Sequence, residues 1–277
     1  MASLDQSTGE ERPSVLITGG GSGIGAAVAA RMADAGYSVC VTGRRREPLD
    51  EVAAATGALP ITADTTDGEA MRAAVDQCLE HFRRLDALVL SAGTGASGTV
   101  GEQTLERWSA VLATNLTGAF LTCQAALPAL LASGGAIVTV ASLAGLRAGP
   151  AAAAYSSSKA GLIMLTQCLA VDYGPRGVRA NCVCPGWART DIADAEMDSL
   201  AARTGTDREG AYALAAQHIP AQRAGTAPEV AEAIAWLASP AAAYVNGAVL
   251  TVDGGAAVVD AGTLAFRHPS QRRGDPE

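Results

Sequence analysis

Short, wholly apolar runs alternate along the chain with longer Ala-rich stretches of helical period. The apolar runs lie at residues 14–18, 38–42, 59–63, 87–91, 136–140, 179–183 and 248–252. Gly, Pro, Asp or Ser bound them, as expected of strands. Their hydrophobicity is continuous rather than alternating, which suits a parallel sheet covered on both faces. Helical periodicity is predicted over 23–35, 48–56, 68–84, 105–132, 151–173 and 228–238. Strand and helix in strict alternation predict an α/β doubly wound fold: one seven-stranded parallel sheet flanked by helices on both faces.

Three segments stand outside this alternation. Residues 187–226 read as a long polar connection, the kind of insertion that serves as a substrate lid. Residues 1–12 and 261–277 read as polar tails, leaving 13–260 as a single catalytic domain. No apolar h-region opens the chain, and no uninterrupted apolar run reaches the ~20 residues of a membrane span.

Composition narrows the function. The 277 residues carry a net charge of -8, which argues against nucleic acid as a partner because phosphate binding needs clustered Lys and Arg. Six scattered cysteines without a C-x-x-C pair suit a reduced, cytoplasmic protein. Three histidines without ligand spacing leave no metal site. Of the 20 basic residues only one is lysine, Lys159. Arginine serves wherever a generic positive charge is needed, so the one lysine marks a position where a compact point donor matters.

The first predicted strand runs into Thr18-Gly19-Gly20-Gly21-Ser22-Gly23-Ile24-Gly25, and a helix follows. Glycines let the backbone turn sharply and approach a phosphate, and the helix N-terminus offers unpaired N–H groups. This is the strand–turn–helix context of a Rossmann-type dinucleotide site. An acid after the second strand would accept from an adenosine ribose hydroxyl. This chain has Gly43 followed by Arg44, Arg45 and Arg46 instead. A guanidinium there suits a 2′-phosphate, so NADP(H) is favoured over NAD(H), with Arg44 as its reader.

Tyr155 and Lys159 are four apart in a helical stretch and therefore share a face. A nearby ammonium favours the phenolate, which would make Tyr155 a proton donor and acceptor near neutral pH. Ser142 follows the fifth strand, at the carboxyl edge of the sheet where ligands bind. Asn115 sits inside a predicted helix, where asparagine is unfavourable unless its side chain has a task.

Together these residues resemble the short-chain dehydrogenase/reductase family over roughly residues 13–255. Thr18, Gly19, Gly23 and Gly25 match its T-G-x-x-x-G-x-G motif, and Tyr155 and Lys159 match Y-x-x-x-K. Asn115 and Ser142 match the rest of the catalytic set. The resemblance implies cofactor contacts from Gly19, Ser22, Gly23, Ile24, Gly25, Arg44, Asp64, Thr65, Ser91, Ala92, Gly93, Tyr155, Lys159, Pro185, Gly186 and Thr190. Ser91 departs from the family's asparagine in N-A-G, and Ala141 from the first serine of its S-S pair.

The resemblance also implies a mechanism. Hydride passes between nicotinamide and a ketone or secondary alcohol. Tyr155 protonates the carbonyl oxygen, Ser142 hydrogen-bonds it, and Lys159 lowers the Tyr155 pKa and holds the nicotinamide ribose. Asn115 anchors a water that links Lys159 to solvent.

On the helix at 151–173, Leu162, Leu165 and Leu169 form one apolar stripe, and Met164, Cys168 and Val171 form another roughly opposite. A helix apolar all round needs cover on both sides, which together with the family predicts a homotetramer. The Ala-, Gly- and Arg-rich composition of high-GC bacterial genes adds the expectation of a polyketide-like ketoreductase. Three alternatives stay open: a 3-oxoacyl-carrier-protein reductase, an NAD-dependent alcohol or dihydrodiol dehydrogenase, and a cofactor-binding regulatory protein on the same fold.

Overall fold

The computed structural model describes residues 12–95 and 97–266. Seven parallel strands form one sheet in the order β3-β2-β1-β4-β5-β6-β9. These are β1 (Ser14–Thr18), β2 (Ser38–Gly43), β3 (Leu59–Thr62), β4 (Ala87–Leu90), β5 (Ala136–Val140), β6 (Arg179–Pro185) and β9 (Val249–Val252). Three of them, β1, β4 and β5, are buried at every residue, which is why their hydrophobicity is unbroken. On one face lie α3 (Gly68–Phe82), α5 (Gly118–Ser133) and α6 (Ala153–Tyr173). On the other lie α1 (Gly23–Asp34), α2 (Arg46–Thr56) and α9 (Ala227–Ala238). This is the expected Rossmann-type doubly wound fold.

Strand order reverses between the parallel neighbours β1 and β4, from which successive strands are added toward opposite edges of the sheet. A crevice opens there beyond the carboxyl ends of the strands, the general ligand position in such sheets. Thr18 closes its floor: its Oγ1 accepts from the backbone N–H groups of Ser91 and Ala92, each at 3.2 Å. The β4 turn is therefore tied down from β1, without the asparagine that the family carries at position 91.

Two expectations are corrected by the fold. The predicted helix at 105–132 is interrupted. It runs as α4 (Leu105–Leu112), a π-helical turn (Ala113–Thr117) and α5, and the π turn carries Asn115. Such bulges appear mostly at functional sites. An 18-residue window within Leu105–Ser133 is apolar and long enough to cross a membrane, although Glu106, Arg107, Asn115 and Gln124 interrupt the apolar run. Here it packs against α3, α6 and the sheet.

The lid is not a loop. Residues 187–226 hold α7 (Asp191–Thr204), α8 (Arg208–Ala216) and a two-stranded ribbon of β7 (Ala188–Arg189) and β8 (Gly225–Thr226). The frame is in the sequence: Thr190 caps α7 by accepting from Ala193 N–H, Gly205 ends it in the left-handed conformation, and Asp207 caps α8. Met197 and Tyr212 fill a small core of their own with Ala193, Ala201, Ala211 and Ala224. Tyr212 donates to Asp194 Oδ1 at 2.7 Å, and Arg208 pairs with Asp194 and Asp198. Residues 1–11 and 267–277, which include most of both expected tails, lie outside the described residues; 261–266 form a short 3₁₀ turn.

Candidate active site

The Gly-rich turn passes from β1 into α1. Gly19 and Gly23 have φ of +66° and +54°, a region that L side chains rarely adopt. Gly25 sits so close under the turn that a Cβ would meet the Gly19 carbonyl. Ser22 is the N-cap residue of α1 but its side chain makes no capping bond, so the first-turn N–H groups, beside Ile24, remain available. A glycine-rich backbone cradle at the head of a helix fits a pyrophosphate.

Adenine-side groups flank this cradle. Gly43 ends β2 and the exposed Arg44 follows it. Asp64 accepts from both Thr66 N–H (2.9 Å) and Thr66 Oγ1 (2.8 Å). Those bonds, and more weakly the Arg44 charge, hold its carboxyl below the usual range. Arg46 is spoken for by Asp50, one turn on at 2.8 Å. Thr65 is buried against Gly118 at the start of α5. Ser91, Ala92 and Gly93 form the β4 turn, with Ala92 packed directly on Gly19. Across the crevice, Pro185 ends β6, Gly186 packs on Asp253, and Thr190 lies against Gly23.

The four candidate catalytic side chains converge past β4 and β5. Ser142 follows β5 directly, and its Oγ accepts from Ala144 N–H at 3.1 Å. Tyr155 is half-buried on α6, within hydrogen-bonding influence of Ser142. Lys159 is 4% exposed, and its Nζ donates to the Val140 carbonyl at 2.8 Å. Asn115 is fully buried. Its Oδ1 accepts from Thr94 N–H (2.8 Å), and its Nδ2 donates to Thr94 O (2.9 Å) and Ser158 Oγ (3.0 Å). Lys159 Nζ and Asn115 Oδ1 meet over Gly93, where a Cβ would lie 3.4 and 3.5 Å from them.

The Tyr–Lys electrostatics differ from the sequence expectation. Tyr155 is raised above the ordinary tyrosine value, chiefly by loss of water, with the Ser142 hydroxyl opposing and Glu196 adding to the rise. Lys159 does not lower it: the ammonium lies 5.8 Å from the ring centroid and is bonded to the β5 backbone. Burial instead pushes Lys159 down to about 8. The resulting group is a protonated phenol beside a serine hydroxyl, backed by a buried amine. It can donate a proton to a carbonyl oxygen held at Ser142. Asn115 binds the β4 turn directly through Thr94; the water implied by the resemblance plays no part in that contact.

Sequence reasoning missed Ser158, which links Asn115 to the Tyr155 carbonyl (2.7 Å). The signal was its place in the Ser156-Ser157-Ser158 run, three residues after Tyr155 on the same face. It also missed Glu196, because the lid read as a loop. A cavity of about 320 Å³ opens beside the site, lined by Thr94, Gly95, Ser97, Arg107, Ala110 and Val111.

Residues 19–257 match the family described as Enoyl-(Acyl carrier protein) reductase. The chain belongs to the short-chain dehydrogenase/reductase family. Among its relatives, "Protein MoaE" of Klebsiella aerogenes is 41% identical over 91% of this chain and 98% of that protein. The 2-(R)-hydroxypropyl-CoM dehydrogenase of Xanthobacter autotrophicus is 38% identical over 86% and 96%. A solved actinorhodin polyketide ketoreductase with NADPH is 33% identical, with a TM-score of 0.85 over 90% of this chain and 98% of that one. This dehydrogenase/reductase is therefore a nicotinamide-dependent oxidoreductase acting on alcohols and ketones.

Proposed function

We propose that this short-chain dehydrogenase/reductase is an NADP(H)-dependent ketoreductase of secondary, polyketide-like metabolism. The observation that carries the reading is Arg44. It follows Gly43 directly at the end of β2, where a ribose-binding acid would exclude a 2′-phosphate. Among the described residues no carboxylate hydrogen-bonds it, whereas Arg46 is paired with Asp50. The likeness to a ketoreductase solved with NADPH supports the same direction.

The bound nicotinamide supplies or accepts the hydride. The chain's own residues do the rest. The cradle at Gly19–Gly25 would hold the pyrophosphate. Ser142 donates to the substrate oxygen, and Tyr155, kept protonated by burial, passes its proton to that oxygen during reduction. Lys159 would hold the nicotinamide ribose, and Asn115 fixes the β4 turn through Thr94. Thr190, Pro185 and Gly186 would border the nicotinamide.

The test is a fluorescence titration with NADPH and NADH. Binding of NADPH at least tenfold tighter, abolished as a preference by Arg44→Ala, is expected. Preferred NADH binding would overturn the cofactor choice and favour an alcohol dehydrogenase.

A homotetramer is part of this proposal. Phe120 on α5 and Met164 and Val171 on α6 are 47%, 59% and 74% exposed, so the second stripe of α6 is uncovered in a single copy. A monomer in sedimentation at micromolar concentration would refute it. The reducing, cytoplasmic setting is likewise proposed, supported by six free cysteines. Cys182 and Cys184 among them stand with sulfurs 3.8 Å apart and unbridged.

A further inference from the structure

We propose that Glu196 of the lid is a specificity-determining residue that selects ketones bearing a hydrogen-bond donor, a hydroxyl or a protonated amine, beside the reacting carbonyl. This deepens the ketoreductase reading and rests on it.

Three elements converge on the point. Glu196 lies on α7, Gly95 on the segment after β4, and Tyr155 on α6. A Cβ on Gly95 would lie 3.5 Å from Glu196 Oε1, so the carboxylate reaches across the crevice to the wall of the 320 Å³ cavity. Its charge is felt at the Tyr155 phenol. The carboxylate thus lies next to the cavity wall, within electrostatic reach of the proton donor.

The other acids of the helix behave differently. Asp194 and Asp198 are held by Arg208, and Asp194 also by Tyr212. Glu196 is two residues from each, about 200° round the helix, on the opposite side. Among the described residues no side chain or N–H group bonds its oxygens. Arg107 lines the same cavity, but among the described residues no cation pairs with the Glu196 carboxyl, which partial loss of water raises. Glu196 is exposed to the crevice, so water serves as its donor there, and a donor on the substrate can take the water's place. Gly95 has no side chain to block the approach. An anionic substituent in the same place would meet like charge.

The experiment compares hydroxyacetone, freshly dissolved aminoacetone and butan-2-one as substrates, with NADPH, in the wild type, Glu196→Gln and Glu196→Leu. The wild type is expected to prefer at least one of the two donor-bearing ketones over butan-2-one in kcat/KM by about tenfold or more, as a hydrogen bond to a charged group implies. Hydroxyacetone preferred alone identifies a hydroxyl as the donor, and aminoacetone alone an ammonium. Glu196→Gln, which keeps an acceptor but no charge, should retain part of a hydroxyl preference and lose an ammonium preference. Glu196→Leu should bring either ratio to within about twofold of unity. An NADPH Kd within twofold of wild type shows that the variant is folded and still binds cofactor. A merely structural role would lower all three activities together and leave the ratios unmoved, which overturns the proposal. So does a wild type without preference. If neither NADPH nor NADH supports reduction of any of the three, the ketoreductase reading itself falls, and this inference with it.

Discussion

Replacing Asn115 with alanine tests whether one side chain ties the catalytic helix to the β4 turn. Asn115 is fully buried and makes three hydrogen bonds: two with the backbone of Thr94 and one to Ser158 Oγ. All three are lost in Asn115→Ala. A typical intramolecular hydrogen bond contributes about 1 kcal/mol net, so the three together amount to about 3 kcal/mol. The penalty for leaving partners unpaired adds little here. Thr94 is only half-buried, so water can reach its backbone, and Ser158 keeps its bond to the Tyr155 carbonyl. For a domain of this size that loss lowers the melting temperature by about 6–12 °C. Differential scanning calorimetry without cofactor measures it directly. A melting temperature within about 2 °C of wild type would refute the clasp. Kinetics on the same variant separate two roles. The Asn115 Oδ1 and Lys159 Nζ meet over Gly93, so loosening Thr94 should also weaken NADPH binding and lower kcat. Wild-type kcat in a destabilised variant would leave Asn115 as a structural tie alone.

Other changes follow from the same geometry. Tyr155→Phe removes the only phenol at the site, so kcat should fall by at least about a thousandfold, from general acid catalysis lost, while NADPH still binds; a kcat within tenfold of wild type on a reducible ketone would exclude Tyr155 as the acid. Gly25→Ala drives a methyl group into the Gly19 backbone, with its Cβ 2.8 Å from the carbonyl carbon. Neither backbone can yield cheaply, so cofactor affinity should drop beyond detection in a titration, and a Kd near wild type would show that the turn is not the cradle. Lys159 titrates at about 8 because burial disfavours its charge. The amine is therefore charged below that pH and neutral above it, so kcat/KM for reduction should decline on the alkaline side of about pH 8. A profile flat to pH 10 would count against an ammonium at the site.

What the sequence revealed, and what it hid, follows from the range of each interaction. The strands were legible because burial on both faces leaves a continuous apolar run, and the cradle because a backbone against backbone approach demands glycine at Gly19 and Gly25. The π turn was half legible: Asn115 was conspicuous in a helix, but the partner that makes it useful, Thr94, is 21 residues away. The lid was misread because its helices bury small residues, Ala193, Ala201 and Ala211, around Met197 and Tyr212. Alanine faces of this kind give almost no hydrophobic contrast, so only the caps at Thr190 and Asp207 and the stop at Gly205 announced them. The Tyr155–Lys159 pair shows the limit of spacing most sharply. Four residues on one helix put both side chains on one face, yet spacing alone does not say what else competes for the ammonium. The Val140 carbonyl does, at 2.8 Å, and burial then sets both titrations in the opposite sense to a simple ion-pair argument. A phenol kept protonated can give its proton to a carbonyl oxygen, and the desolvation that keeps it so is what spacing alone could not reveal.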